Sequence, residues 1–139
     1  MDGILYMTSK KENIVFALDL DAKSYTTFKP SDGTMVGDGE IKEEPDQLLQ
    51  ISDQTLYMAE NGGSNPGLYG RDLSTGTYFT VFQAFADTYM DDDVTGLAFS
   101  PDLTRLYACF EETGVLFEIQ REDGLPFEIL CVLISLLRT

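Results

Sequence analysis

The chain has 139 residues, 43% of them apolar and 12% aromatic, which suffices for one domain with a real core and excludes a disordered tail. Asp and Glu number 24 against 9 Lys and Arg, a net charge of −15 that argues against nucleic-acid and anionic-lipid partners. There is no histidine, which removes Ser-His-Asp and Cys-His catalysis and every His-containing metal site.

The first elements read as strands. Leu5-Tyr6-Met7 opens a segment that runs through a polar loop into IVFALDL, a tight turn DAKS and a strand YTTF ending at Phe28. Within VFALDL, Val15, Ala17 and Asp19 oppose Phe16, Leu18 and Leu20, the alternation of a half-buried strand. Leu-Tyr returns at Leu56-Tyr57, 51 residues on, and again at Leu106-Tyr107, 50 residues further. Each return is followed by a second strand (GLYGRDL, GVLFEIQ), a polar turn (STGT, EDGL) and a third strand (YFTVF, PFEIL). Ahead of the second and third copies stands one more strand, QLLQIS and TGLAFS, joined through SDQT and SPDLT. The turns carry the Asp, Ser, Gly and Pro that tight connections demand, and the strands carry β-branched and aromatic residues.

Four antiparallel strands repeated about every fifty residues predict β-propeller blades. The fold class is therefore all-β. The chain is read as a single partial propeller domain over 1–139, with pieces at 3–30, 45–85 and 94–130, an incomplete version of a six-bladed ring. A plain β-sandwich is the alternative, but it gives no reason for the same tyrosine and turn to recur. Closed propellers have about four to eight blades, so the missing blades come from a longer protein, from other subunits closing the ring in trans, or the chain is a mispredicted gene product. The apolar tail 127–139 is atypical: it is a last strand on the sheet or a terminus read through an intron. Its run FEILCVLISLL is eleven residues, short of the roughly 20 that span a bilayer. No secretory signal is visible in MDGILYMTSKKE. Cys109 and Cys131 lack motif spacing and read as buried thiols, with a single disulfide as the alternative.

In such a blade the start of the innermost strand and the end of the next lie at the same end of the channel. That geometry brings Asp46 to Glu60 and Asn61, and it brings the run Asp91, Asp92 and Asp93 to Glu111-Glu112 at the same mouth, with Glu40 near them. Hard oxygen ligands without His or Cys suit calcium or magnesium. The expected metal ligands are Glu60, Asp46, Asn61, Asp92 and Asp93, and calcium is the expected cofactor. For the Asp91–Asp93 run the bland alternative is a solvated loop, and for the net charge it is solubility. The segment NGGSNPG lacks the lysine and following helix of a phosphate loop. Ser9, Thr95 and Ser100 have no base beside them, so no catalytic residue is named.

The stretches GILYMTS…IVFALDLDAKSYTTF, EEPDQLLQISDQTLYMAENGG and VTGLAFSPDLTRLYACF resemble the PhoX-type bacterial alkaline phosphatases over roughly residues 3–127. The resemblance implies a six-bladed propeller that hydrolyses phosphate esters with carboxylate-bound calcium and an iron centre, in an exported protein. It places Glu60 on a calcium-ligand position and Asp46 on a Pro-Asp segment. The metal-bridging cysteine of that family has no counterpart; Cys109 sits mid-strand. EPDQL and FSPDLTRLYA are also similar to the senescence-marker and gluconolactonase propellers, which implies a metal-dependent lactonase. A non-catalytic propeller module is the third expectation. No compartment is assigned.

Overall fold

The computed structural model describes residues 3–42, 44–62, 66–84 and 92–127, and the backbone of 134–138. It is all-β, with no α-helix among the described residues. The strands are β1 (Ile4–Ser9), β2 (Ile14–Asp19), β3 (Ser24–Phe28), β4 (Met35–Val36), β5 (Glu44–Gln50), β6 (Thr55–Asn61), β7 (Gly67–Asp72), β8 (Tyr78–Gln83), β9 (Val94–Phe99), β10 (Arg105–Phe110), β11 (Val115–Arg121) and β12 (Ile134–Arg138). They form three sheets in the orders β1-β2-β3, β4-β8-β7-β6-β5 and β12-β11-β10-β9, antiparallel throughout except for β4 on β8. β1 lies beside β5, and β5 lies beside β9, so the sheets follow one another through their first strands. Three sheets by themselves do not close a ring.

The turns form for local reasons. Asn13 takes a left-handed φ of 54° and its N–H closes the 3-10 turn Lys10–Glu12 on the Lys10 carbonyl. Asp19 Oδ1 accepts the N–H groups of Asp21 and Ala22, and Asp72 Oδ1 accepts those of Ser74 and Thr75, so an aspartate organises the turn after β2 and after β7. Gly70 is required by packing: a Cβ there would overlap the ring of Phe79, its partner across β7 and β8. That ring in turn meets Tyr57 edge-on at 6.4 Å.

Two apolar layers hold the sheets together. Between the first and second sheets, Val15 packs with Ile41, Met58, Tyr69 and Tyr78. Arg71 stacks over Phe28 at 4.2 Å, joining the same two sheets by a cation–π contact. Between the second and third, Tyr57, Leu68 and Phe82 meet Leu106, Phe110 and Phe117. Tyr57 also donates to the Phe127 carbonyl at 2.9 Å.

Because strand side chains alternate, each Leu-Tyr copy presents its leucine and the second residue beyond it to the preceding sheet, and its tyrosine to the following one. Leu56 and Met58 are 2% exposed, and Leu106 and Ala108 are fully buried. Leu5 and Met7, the same positions in the first copy, are 46% and 48% exposed, because no sheet precedes them among the described residues.

The structure redraws two boundaries. The described outer strand of the third sheet is Ile134–Arg138, and at the start of PFEIL Pro126 offers no N–H to a ladder while the buried Phe127 ring caps Tyr57 and Phe99. Cys131 and residues 128–130 lie outside the described residues. The linker after β3 contains an unforeseen strand, β4, and a buried Ile41, so it packs along the second sheet instead of looping free.

Candidate functional site

Pairing between β5 and β6 sets Glu44 opposite Asn61 and Pro45 opposite Glu60. Asp46 follows at once, in a register shift between Pro45 and Leu48. Asp46, Glu60 and Asn61 thus share one end of the hairpin, as the spacing predicted. The third sheet contributes at the same end. Val94 pairs with Phe110, and the Glu111 N–H donates to the Asp93 carbonyl at 3.0 Å. A Cβ built on Gly62 would lie 3.4 Å from Asp93 Oδ1, so the β6 end and the β9 start adjoin. Asp91 lies outside the described residues.

What the side chains do there differs from the metal expectation. Glu60 is 2% exposed and faces the first sheet. Its Oε1 accepts the Lys42 N–H at 2.7 Å, and its Oε2 accepts the Tyr69 hydroxyl at 3.1 Å. Tyr69 is also within 2.9 Å of the Glu40 carbonyl and receives the Gln83 amide at 2.9 Å. Burial, reinforced by the neighbouring Glu60 charge, pushes the Tyr69 hydroxyl well above its ordinary range, so it stays a donor.

Asp46 and Asn61 are tied to the first sheet by a lysine. Lys10 Nζ donates to Asn61 Oδ1 at 2.8 Å and pairs with Asp46 Oδ2 at 3.3 Å. Thr8 Oγ1 donates to the Asp46 carbonyl at 3.0 Å. The next residue, Gln47, ties the second sheet to the third: its amide nitrogen donates to Thr95 Oγ1, and its oxygen accepts the Gly96 N–H at 3.0 Å.

Asp92 is buried and holds the β10–β11 turn. Its Oδ1 accepts the Glu112 N–H at 2.8 Å and the Asp93 N–H at 2.9 Å. Its Oδ2 accepts the Thr113 hydroxyl at 2.9 Å and the Thr113 N–H at 3.2 Å. Burial works to raise its carboxyl, but these four donors outweigh it and hold the group below the usual carboxylate range.

The predicted ligands therefore meet at one end, where the donors around them come from the chain itself. Calcium takes six to eight oxygens that face a common point. Glu60 and Asp92 spend both carboxylate oxygens on donors of their own chain, and an ammonium group already sits between Asp46 and Asn61. Among the described residues no three Cys, Asp or Glu side chains converge on one point. As arranged, Glu60, Asp46, Asn61 and Asp92 each already hold a donor of the chain itself. Ser100, set aside as a nucleophile, bonds Asp102 Oδ1 at 2.7 Å in a turn.

Sequence reasoning missed Lys10, Tyr69, Gln47 and Thr113. Lys10 lies in a loop of another copy, 51 residues from Asn61, and no spacing rule joins them. Tyr69 was findable: across β6 and β7 it pairs with Met58, so it shares the face on which Glu60 lies. Comparison with protein-family models, with curated proteins and with solved structures finds no match for this chain.

Proposed function

We propose that the chain is a three-blade segment of a β-propeller that serves as a binding and assembly module, and is not by itself a phosphomonoesterase. The observation that carries this reading is the engagement of the mouth. Glu60, Asp46, Asn61 and Asp92 act as ties within and between sheets, a structural use of the side chains that a metal-dependent hydrolase would direct at its ion. Support for the propeller itself comes from sheets that adjoin through their first strands and from a repeat whose faces alternate in the same sense in every copy. Such a unit gains its function from the further sheets it packs against. The resemblance to PhoX-type phosphatases supports the blade pattern and adds no metal centre to this chain.

The test is a turnover assay on the whole chain with p-nitrophenyl phosphate and, in parallel, a lactone, in calcium and iron and in chelator. The expected result is no turnover and a melting temperature that calcium moves by less than about 1 °C. Chelator-sensitive turnover that Glu60→Gln abolishes would overturn the module reading in favour of the hydrolase.

A further inference from the structure

We propose that two copies of this chain associate head to tail, the first sheet of each packing on the third sheet of the other, to close a ring of six sheets. The proposal rests on the propeller reading above and names the partner as a second copy.

Continuity with the two interfaces already built into the chain carries it. Each interface sets the leucine face of one sheet against the tyrosine face of the sheet before it: Leu56 and Met58 face the Tyr6 side of the first sheet, and Leu106 and Ala108 face the Tyr57 side of the second. Among the described residues two faces are left over, and they are of opposite kind. The first sheet leaves its leucine face, where Leu5, Met7 and Tyr25 are exposed and share the surface with their cross-strand partners Phe16 and Leu18. The third sheet leaves its tyrosine face, with Tyr107, Cys109 and the exposed Leu116. One chain thus carries both halves of a third interface of the same kind, with the second sheet standing between them.

The tyrosine face can be covered without stranding a charge. Its acid, Glu118, receives the Tyr107 hydroxyl at 2.9 Å and the Gln120 amide at 3.0 Å, and pairs with Arg105 at 3.7 Å. Charge also selects the pairing. Residues 1–30 contain four basic and four acidic residues, so the whole net charge of −15 lies beyond them. Residues 92–127 contain eight acidic and two basic residues, so third sheet on third sheet would bring two net-negative segments together, whereas first on third sets a neutral segment against a negative one. Head-to-tail contacts form rings when the rotation closes, and twice three sheets falls inside the range of about four to eight in which propellers close. In that ring the free edge of β1 borders the channel, as the free edges of β5 and β9 do.

The experiment is sedimentation of the full chain from about 1 to 100 μM, with far-UV circular dichroism to check folding. The expected result is a dimer that does not grow further. Met7→Lys and Leu116→Lys replace half-exposed side chains on the two opposite faces, so both fold, and each weakens the dimer by about 100-fold or more. Mixing the two variants restores a dimer, because one of its two interfaces then joins an unaltered first sheet to an unaltered third. A folded monomer at the highest concentration overturns the second copy as partner. A dimer lost with Met7→Lys but untouched by Leu116→Lys overturns the head-to-tail arrangement in favour of first sheet on first sheet. Neither outcome bears on the turnover and calcium assay, which judges the module reading separately.

Discussion

Glu60 offers the sharpest test of what the acidic mouth is for. The structure makes it a buried acceptor for Lys42 N–H and Tyr69 O–H. Glu60→Gln keeps a carbonyl for Lys42 and offers an N–H to the Tyr69 oxygen, whose own proton can turn to the Glu40 carbonyl 2.9 Å away. Only charge assistance is lost, and relief of burying a carboxylate offsets part of it, so the cost is about 1 kcal/mol or less. Glu60→Ala removes both bonds, strands a backbone donor and leaves space in a packed layer, for a cost of about 3 kcal/mol. The gap between the two variants is then about 2 kcal/mol, or roughly 5 to 10 °C in melting temperature. Urea titration in chelator reads it through circular dichroism or tyrosine fluorescence, since the chain has no tryptophan. A calcium ligand behaves otherwise. Without metal, its removal relieves repulsion, so both variants would match or exceed the parent in chelator and lose only a calcium-dependent gain. Equal stability of Glu60→Gln and Glu60→Ala in chelator would refute the acceptor role.

Three further outcomes follow from the same ties. Lys10→Met should cost about 0.5 to 1 kcal/mol, since the pair with Asp46 is partly exposed, and the variant should lose salt sensitivity in urea titrations that the parent shows. Asp92→Ala should cost about 2 to 4 kcal/mol by freeing the N–H groups of Asp93, Glu112 and Thr113, and hydrogen exchange should rise first at that turn. Asp92 has a lowered carboxyl, the turn donors Ser100 and Thr104 hold Asp102 down at about 2, and the Arg121 guanidinium holds Asp123 at about 2, so their contribution is complete above the usual carboxylate range and fades as pH falls from about 4 toward 2. At the other extreme, burial raises the hydroxyls of Tyr57, Tyr69 and Tyr78, the last to about 12 against 10.0 for the free group. The tyrosine contribution is therefore full below about pH 10 and is lost as pH climbs through about 12, and tyrosinate absorbance should appear together with unfolding.

The strands were legible because each one states its own evidence. VFALDL alternates, and the Leu-Tyr copies recur with turn residues between them, so the hairpin order of the repeated strands and the shared end of Asp46 and Glu60 could be read without coordinates. For the outer strand of the third sheet the sequence offered both PFEIL and the tail as a last strand, because the apolar runs PFEIL and VLISLL look alike locally, and β12 falls in the tail. What separates them is that Phe127 finds Tyr57 and Phe99 to pack against.

The sequence alone determined that this is an all-β chain of repeated sheets and that its acids gather at one end, since a period of two and a repeat of about fifty residues are properties of the chain itself. Only the tertiary structure decided what those acids do. Whether a carboxylate faces a cation or a neighbour's N–H depends on which donors the other sheets bring to it. Lys10, Tyr69 and Thr113 arrive there by packing, at separations that no local pattern encodes.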